Sequence, residues 1–288
     1  DPYRGTLLGI QHQDESVMGM IFSLHAELMA GETGEWIVGV SGLLLVLLCL
    51  TGLVLWWPRV GRLRRIFVIA YRYGWRRLNY DLHRAGGFYT ALFLVLVAGT
   101  GSALAFYSET GALLNWATGS RPLPPPPTVE ERSNAAVPAS SLDDALRAAR
   151  KELPAAQATL VYLPQAPDAP LSVRMRTPPE WHPNGRSFVY LHPQEGQRVL
   201  RTDDMRDAAG GAWLLPFAYP LHVGAWKIGA VGSFVVRVLY ALLGLAPAVL
   251  AVTGVLIWFR RWRKKQRALR SRPARERAVR PARLPDAS

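Results

Sequence analysis

Cysteine is nearly absent from this chain: Cys49 is the single one among 288 residues. That excludes a disulfide within the chain and leaves no set of thiolates for a zinc centre. Cys49 lies inside an apolar run and reads as a packed thiol. Nucleotide-binding signatures are missing as well, since no G-x-G-x-x-G follows a strand-like run. Acidic residues are scarce, 21 against 34 Lys and Arg, for a net charge of +13. Charge of either sign is absent from three long stretches, 36–57, 85–107 and 238–259.

Those three stretches carry the first positive statement. Half of all residues are apolar and ten are Trp, a composition that suits a membrane protein. Each stretch has about the twenty residues that a hydrocarbon core of about 30 Å demands. Trp36, Trp56, Trp57, Tyr107, Trp258 and Phe259 stand at their ends, where aromatic side chains straddle the interface. The fold class expected is therefore mainly α, a transmembrane helix bundle.

The basic residues are clustered. Residues 59–84 hold eight Arg against Asp81, and residues 260–288 hold twelve Lys or Arg against Glu276 and Asp286. A basic tail can bind nucleic acid, but a three-span topology puts both clusters on one side, as the positive-inside rule requires. Lipid, and no nucleic acid, is the expected partner. The loop 58–84 and the tail 260–288 then face the cytoplasm, and residues 1–35 and 108–230 face outward. The chain begins at Asp1, already on the outer face, with no signal-peptide pattern ahead of it. A fourth span, preceding these three, is the expectation.

Outside the membrane, 108–137 reads as a stiff linker around Pro124-Pro125-Pro126-Pro127. Residues 138–210 read as a small α+β domain. Ser140 or Ser141 caps an amphipathic helix with Leu142, Ala145, Leu146, Ala149 and Leu153 on one face. Strand-like runs follow at 158–163, 171–176, 187–191 and 198–201, separated by Pro and Gly turns. The segment 211–237 then leads into the third span, where Pro247 is expected to introduce a kink.

An internal repeat orders these parts. Leu24-His25 precedes a run ending Thr51-Gly52-Leu53-Val54-Leu55-Trp56-Trp57; Leu221-His222 precedes one ending Thr253-Gly254-Val255-Leu256-Ile257-Trp258-Phe259. The form Asp1-Pro2-Tyr3-Arg4-Gly5 matches His192-Pro193-Gln194-Glu195-Gly196, so 1–35 reads as the tail of a first outer domain plus a helix carrying His25. The middle span opens with Leu82-His83-Arg84 on the cytoplasmic side and ends with Thr100-Gly101 among its last residues.

Three histidines at membrane borders, in register with a repeat, point to chemistry, because ionisable groups at that depth are costly. One imidazole from each of two helices suffices for haem iron, whereas zinc wants more ligands nearby. His25 and His222 share the outer face and can meet. His83 lies a helix length away, at about 1.5 Å per residue, so it needs a site of its own. Arg84 and Arg237 are candidates for haem propionates or snorkelling cations. Gly86, Gly87, Gly99, Gly101, Gly244 and Gly254 read as helix-packing positions that also admit a flat macrocycle. His182 and His192 read as surface residues of the outer domain. Trp213, Phe217, Tyr219 and Trp226 form either a substrate surface or an interfacial anchor.

The pattern resembles the PepSY-associated transmembrane family of bacterial inner-membrane proteins. The resemblance rests on Leu24-His25 with Gly31-Glu32-Thr33-Gly34-Glu35-Trp36, on Leu53-Val54-Leu55-Trp56-Trp57-Pro58-Arg59, on Asp81-Leu82-His83-Arg84 and on Leu221-His222-Val223-Gly224. It implies four spans, periplasmic PepSY domains and haem b held by membrane histidines, here His25, His222 and His83. It also implies similarity to reductases of ferric siderophores; the electron donor expected is a quinol or a flavoprotein, on the cytoplasmic side or in the membrane. One haem is expected at the outer face; this chain departs from the pattern in lacking the first span, so an inner haem at His83 has no second ligand in the sequence. The alternative is a non-catalytic sensor, peptidase-regulating module or transporter accessory.

Overall fold

The computed structural model describes residues 6, 15–56, 69, 71–129 and 141–278. The repeat match at residues 1–5 and most of the basic loop, 57–68, lie outside them. Among the described residues three helical stretches are long and apolar enough to cross a membrane: Gly31–Leu55, Trp75–Ala105 and Gly229–Leu269. A small antiparallel sheet accompanies them, so the protein is a membrane helix bundle with an α+β domain. By compactness the chain divides into two units, one of residues 1–47 and 95–240, the other of 48–94 and 241–288.

The first unit opens with α1 (Val17–Glu27), capped where the Ser16 hydroxyl accepts from the Gly19 N–H at 2.9 Å. Leu28 and Met29 then adopt left-handed backbone, with φ 52° and 56°, a costly conformation for non-glycine residues. That turn reverses the chain into α2 (Gly31–Trp56), which starts five residues before the expected span. Within this unit α2 packs on the end of α4 (Gly87–Ala105) through small residues. A Cβ added at Gly39 would meet the Phe106 ring at 2.6 Å, one at Gly42 would meet the Ser102 hydroxyl at 2.3 Å, and that hydroxyl donates to the Gly39 carbonyl at 2.9 Å. Close backbone approach with a side-chain hydrogen bond is how apolar helices associate where water supplies no driving force.

The expected linker 108–137 begins instead as a helix. Residue Phe106 breaks the span with φ −105° and ψ 54°, and α5 (Tyr107–Thr118) follows until Gly119 caps it in left-handed conformation. The four prolines further on kept the whole segment looking extended, yet Tyr107–Thr118 contains no proline or β-branched run to prevent a helix. Asn115 in α5 accepts from the Gly211 N–H at 2.8 Å, which ties it to α7 (Gly210–Leu214).

In the α+β domain, α6 (Leu142–Glu152) starts at Ser141, whose hydroxyl accepts from the Asp144 N–H at 3.2 Å. Acidic residues in its first turn and basic ones in its last suit the helix dipole. The sheet runs in the order β1 (Gln157–Tyr162), β2 (Leu171–Arg176), β3 (Ser187–Leu191), β4 (Val199–Asp203), all antiparallel. Alternate residues Leu171, Val173 and Met175 point at Ala145, Ala149 and Leu153 of α6, with Val189 and Leu191 completing the core. Strand β4 starts one residue later than expected because the Arg198 N–H closes a turn on the Glu195 carbonyl at 2.6 Å. Beyond the domain come a 3-10 turn (Leu215–Phe217), α8 (Ala218–Val223) and α9 (Gly229–Leu243).

The second unit holds α3 (Trp75–Asp81), a π turn at Leu82–Gly86 that leads into α4, and α10 (Ala246–Ala278). The third membrane stretch is thus interrupted after Leu243, and the new helix starts with Pro247 in its first turn, where a missing N–H costs nothing. Helix α10 carries on through much of the expected basic tail.

Candidate functional site

His25 occupies the last turn of α1, and His222 the last turn of α8. Their ring centroids lie 5.9 Å apart with the planes tilted by 31°. Helix α8 is held by its own ending: Gly224 sits at φ 68°, with Tyr240 where a Cβ would project at 2.9 Å. The Tyr240 hydroxyl donates to the Leu221 carbonyl at 2.6 Å.

The imidazole of His222 is fixed by α4. Its Nδ1 lies 2.9 Å from the Val97 carbonyl and 3.4 Å from the Thr100 hydroxyl. A carbonyl only accepts, so Nδ1 carries the proton and Nε2 keeps its lone pair. Gly101 makes room for the ring: a Cβ there would lie 2.8 Å from Cε1. Burial pushes the His222 pKa down, partly opposed by the Val97 hydrogen bond, and the neighbouring His25 depresses it further. A neutral imidazole of fixed tautomer is the form that binds a metal. With metal–imidazole bonds of about 2.0 Å, two rings on one iron have centroids roughly 6 Å apart. The centroid spacing of His25 and His222 is the one that shared haem ligation would give.

In the second unit His83 is seated in the same manner. It stands in the π turn, a distortion common at functional sites. Its Nδ1 lies 3.0 Å from the Thr253 hydroxyl. That hydroxyl donates its own proton to the Val249 carbonyl at 2.7 Å, so it accepts from Nδ1 and again leaves Nε2 as the free acceptor. Gly254 is the matching gap, with Cε1 of His83 at 3.1 Å from a Cβ built there. Asn79, fully buried, donates to the Thr253 carbonyl at 3.1 Å and holds the seat in place. A Thr-Gly pair also stands near the end of α2, as Thr51-Gly52, where nothing among the described residues lies within 4 Å of the glycine's missing Cβ.

The remaining candidates differ. Arg84 faces buried Asp81, 3.2 Å away, and lies over the Tyr80 ring; Asp81 also takes Arg77 at 2.8 Å. Arg237 is exposed on α9. His182 and His192, expected at the surface, are buried at 9% and 3% exposure. Their Nδ1 atoms accept backbone N–H groups, Asn184 for His182 and Glu195 for His192, both at 3.2 Å. They are turn-capping side chains of the domain. Among the described residues no group of three or more His, Cys, Asp or Glu could hold a metal ion. Thr100, Thr253 and Val97 were missed as parts of a histidine seat, although the recurrence of Thr-Gly near each span's end was the available signal.

The family profile described as PepSY-associated TM region matches residues 1–261. A protein of Pseudomonas aeruginosa, itself described as uncharacterized, is 28% identical over 263 residues. That match covers 85% of this chain and 64% of the relative, so the chain spans about two thirds of that protein's length.

Proposed function

We propose, because this chain belongs to the PepSY-associated transmembrane family and sets His25 and His222 5.9 Å apart, that it is a haem-containing electron-transfer protein of the bacterial inner membrane. Its substrate on this reading is a ferric siderophore, reduced at the periplasmic face to release Fe(II) for uptake. The observation that carries the reading is the histidine pair with the His222 tautomer fixed by the Val97 carbonyl.

His25 and His222 would hold haem b, which supplies one-electron chemistry when bound. This chain's residues contribute the rest. Val97 and Thr100 orient His222, Gly101 leaves its ring room, and Thr253 and Gly254 do the same for His83. His83 would serve a second haem, and Arg237 is available to a propionate of the haem at the His25–His222 pair. Arg84 is offered to the same role at the His83 site, in exchange for part of its contact with Asp81. Electrons would come from a quinol or a flavoprotein, on the cytoplasmic side or in the membrane. Converting Fe(III) to Fe(II) weakens binding by hard oxygen ligands, which favours release. The domain of β1–β4 would be periplasmic and the basic end of α10 cytoplasmic, an orientation supported by the distribution of Lys and Arg.

The test is a stopped-flow experiment under anaerobic conditions. Protein is reduced, freed of reductant and mixed with a ferric siderophore, while an Fe(II)-specific chromophore is followed. One Fe(II) per haem oxidised supports the reading. A protein that stays reduced against a panel of catecholate, phenolate and hydroxamate chelates is not a siderophore reductase.

A further inference from the structure

The loop between β2 and β3 is built around Glu180. Its carboxylate accepts from the Thr177 N–H at 2.5 Å, the Thr177 hydroxyl at 3.0 Å and the Arg186 N–H at 2.6 Å. The acid is thus used up internally. Cations gather round it: Arg176 donates to the Pro183 carbonyl, Lys227 to the Glu180 carbonyl, and Arg174 to the Gly185 carbonyl. Burial, then Arg174 and Arg186, bring the His182 pKa down to about 4. Burial and Arg176 lower that of Lys227, against an opposing pull from Glu180.

Beside this loop lies a cleft of about 260 Å³. Three of its walls are aromatic: Trp181 and Trp213 each pack on Phe217, at centroid distances of 5.8 and 5.1 Å. Trp181 and Trp213 are partly exposed, at 39% and 48%. Arg186 and Arg206 also line the cleft. Arg186 stacks on the Tyr107 ring at 5.2 Å, and Arg206 is paired with Asp204. Phe217 leads directly into α8. There the Tyr219 ring lies 5.0 Å from that of His182, tilted by 31°, and His222 follows one turn later, on the same helix face.

We propose that this cleft receives one aryl arm of an anionic ferric chelate of the catecholate or phenolate type. Flat electron-rich rings stack on tryptophan and on guanidinium planes. Aryl oxygens take charge-assisted hydrogen bonds from arginine. A neutral hydroxamate chelate offers neither an aryl face nor the charge. The volume admits a ring or two and not a whole siderophore, so the rest of the chelate stays at the mouth, on the approach to the helix α8 that Phe217 leads into. The choice of iron as the bound metal rests on the reductase reading; the recognition itself does not.

Calorimetry on the detergent-purified chain, with redox-inert gallium(III) complexes of a synthetic tris-catecholate and of a trihydroxamate, separates the two. The catecholate complex should bind at least about tenfold tighter, and Arg206→Gln and Trp213→Ala should each cost it about tenfold. Both side chains are exposed enough to change without unfolding the domain. Equal affinity for the two complexes, or variants that bind as the parent does, overturns the proposal. Selective gallium-catecholate binding without reduction of the ferric complex would sink the reductase reading and leave the cleft standing. Reduction of ferric chelates with no such selectivity would do the reverse.

Discussion

Gly101→Ala is the sharpest perturbation of the histidine seat. The new Cβ would project to 2.8 Å from Cε1 of His222 and 3.3 Å from its Nδ1. Ordinary carbon contacts lie at about 3.5–4.0 Å, so the ring must retreat by roughly 0.7 Å or more. The same movement stretches the 2.9 Å contact between Nδ1 and Val97 to about 3.6 Å, past the limit of a hydrogen bond. Losing such a partner of a metal-bound histidine costs about 10–100-fold in affinity. Alanine favours a helix over glycine by about 1 kcal/mol, so loss of helix stability is not the expected cause. Gly99→Ala is the control on the same helix, since its Cβ would be 4.0 Å from Val46. Titration of apo-protein with haem, read from the Soret band, should show the weakened affinity for Gly101→Ala and parental affinity for Gly99→Ala. A Gly101→Ala protein that binds haem within twofold of the parent refutes the seat.

Thr253→Val keeps the shape of its side chain but removes the oxygen that accepts from His83; a haem held by His83 should bind about 10–100-fold more weakly, while one at the His25–His222 pair stays unchanged in the same titration. Buried neutral His182 makes the α+β domain acid-sensitive. Its pKa is about 4 in the folded protein against an ordinary 6.5, so the unfolded chain binds the extra proton below 6.5. Stability is therefore complete above pH 6.5 and falls as pH drops towards 4. Between pH 7 and 5 this amounts to about 2 kcal/mol. His182→Gln should flatten the pH dependence of urea unfolding by about that amount; an unaltered slope would show that His182 does not carry it.

How far the sequence could be read depended on the range of the interactions. The membrane helices and strands β1–β4 were legible because hydrophobic length and alternation are local signals. The helix at Tyr107–Thr118 was hidden by the prolines that follow it, which coloured the whole segment as linker. The break after Leu243 could be anticipated from Pro247, whose place in a helix is restricted by its own ring. Seats for histidines were illegible for a different reason. His222 meets Val97 from 125 residues away, and His83 meets Thr253 from 170 away. The recurrence of Thr-Gly near each span's end marks a position, but it does not say that the threonine will accept from an imidazole on another helix. His182 and His192 misled because polar turns read as exposed, whereas here each ring caps backbone N–H groups inward.

The central claim is that His25 and His222 share one haem, and a reduced-minus-oxidised absorption spectrum of protein purified from haem-replete cells tests it most directly. The account predicts a Soret band with sharp α and β bands on reduction, of the bis-histidine kind. His25→Ala and His222→Ala should each abolish that same contribution, and His83→Ala should spare it. A colourless parent protein, or one whose spectrum survives both substitutions, contradicts the claim.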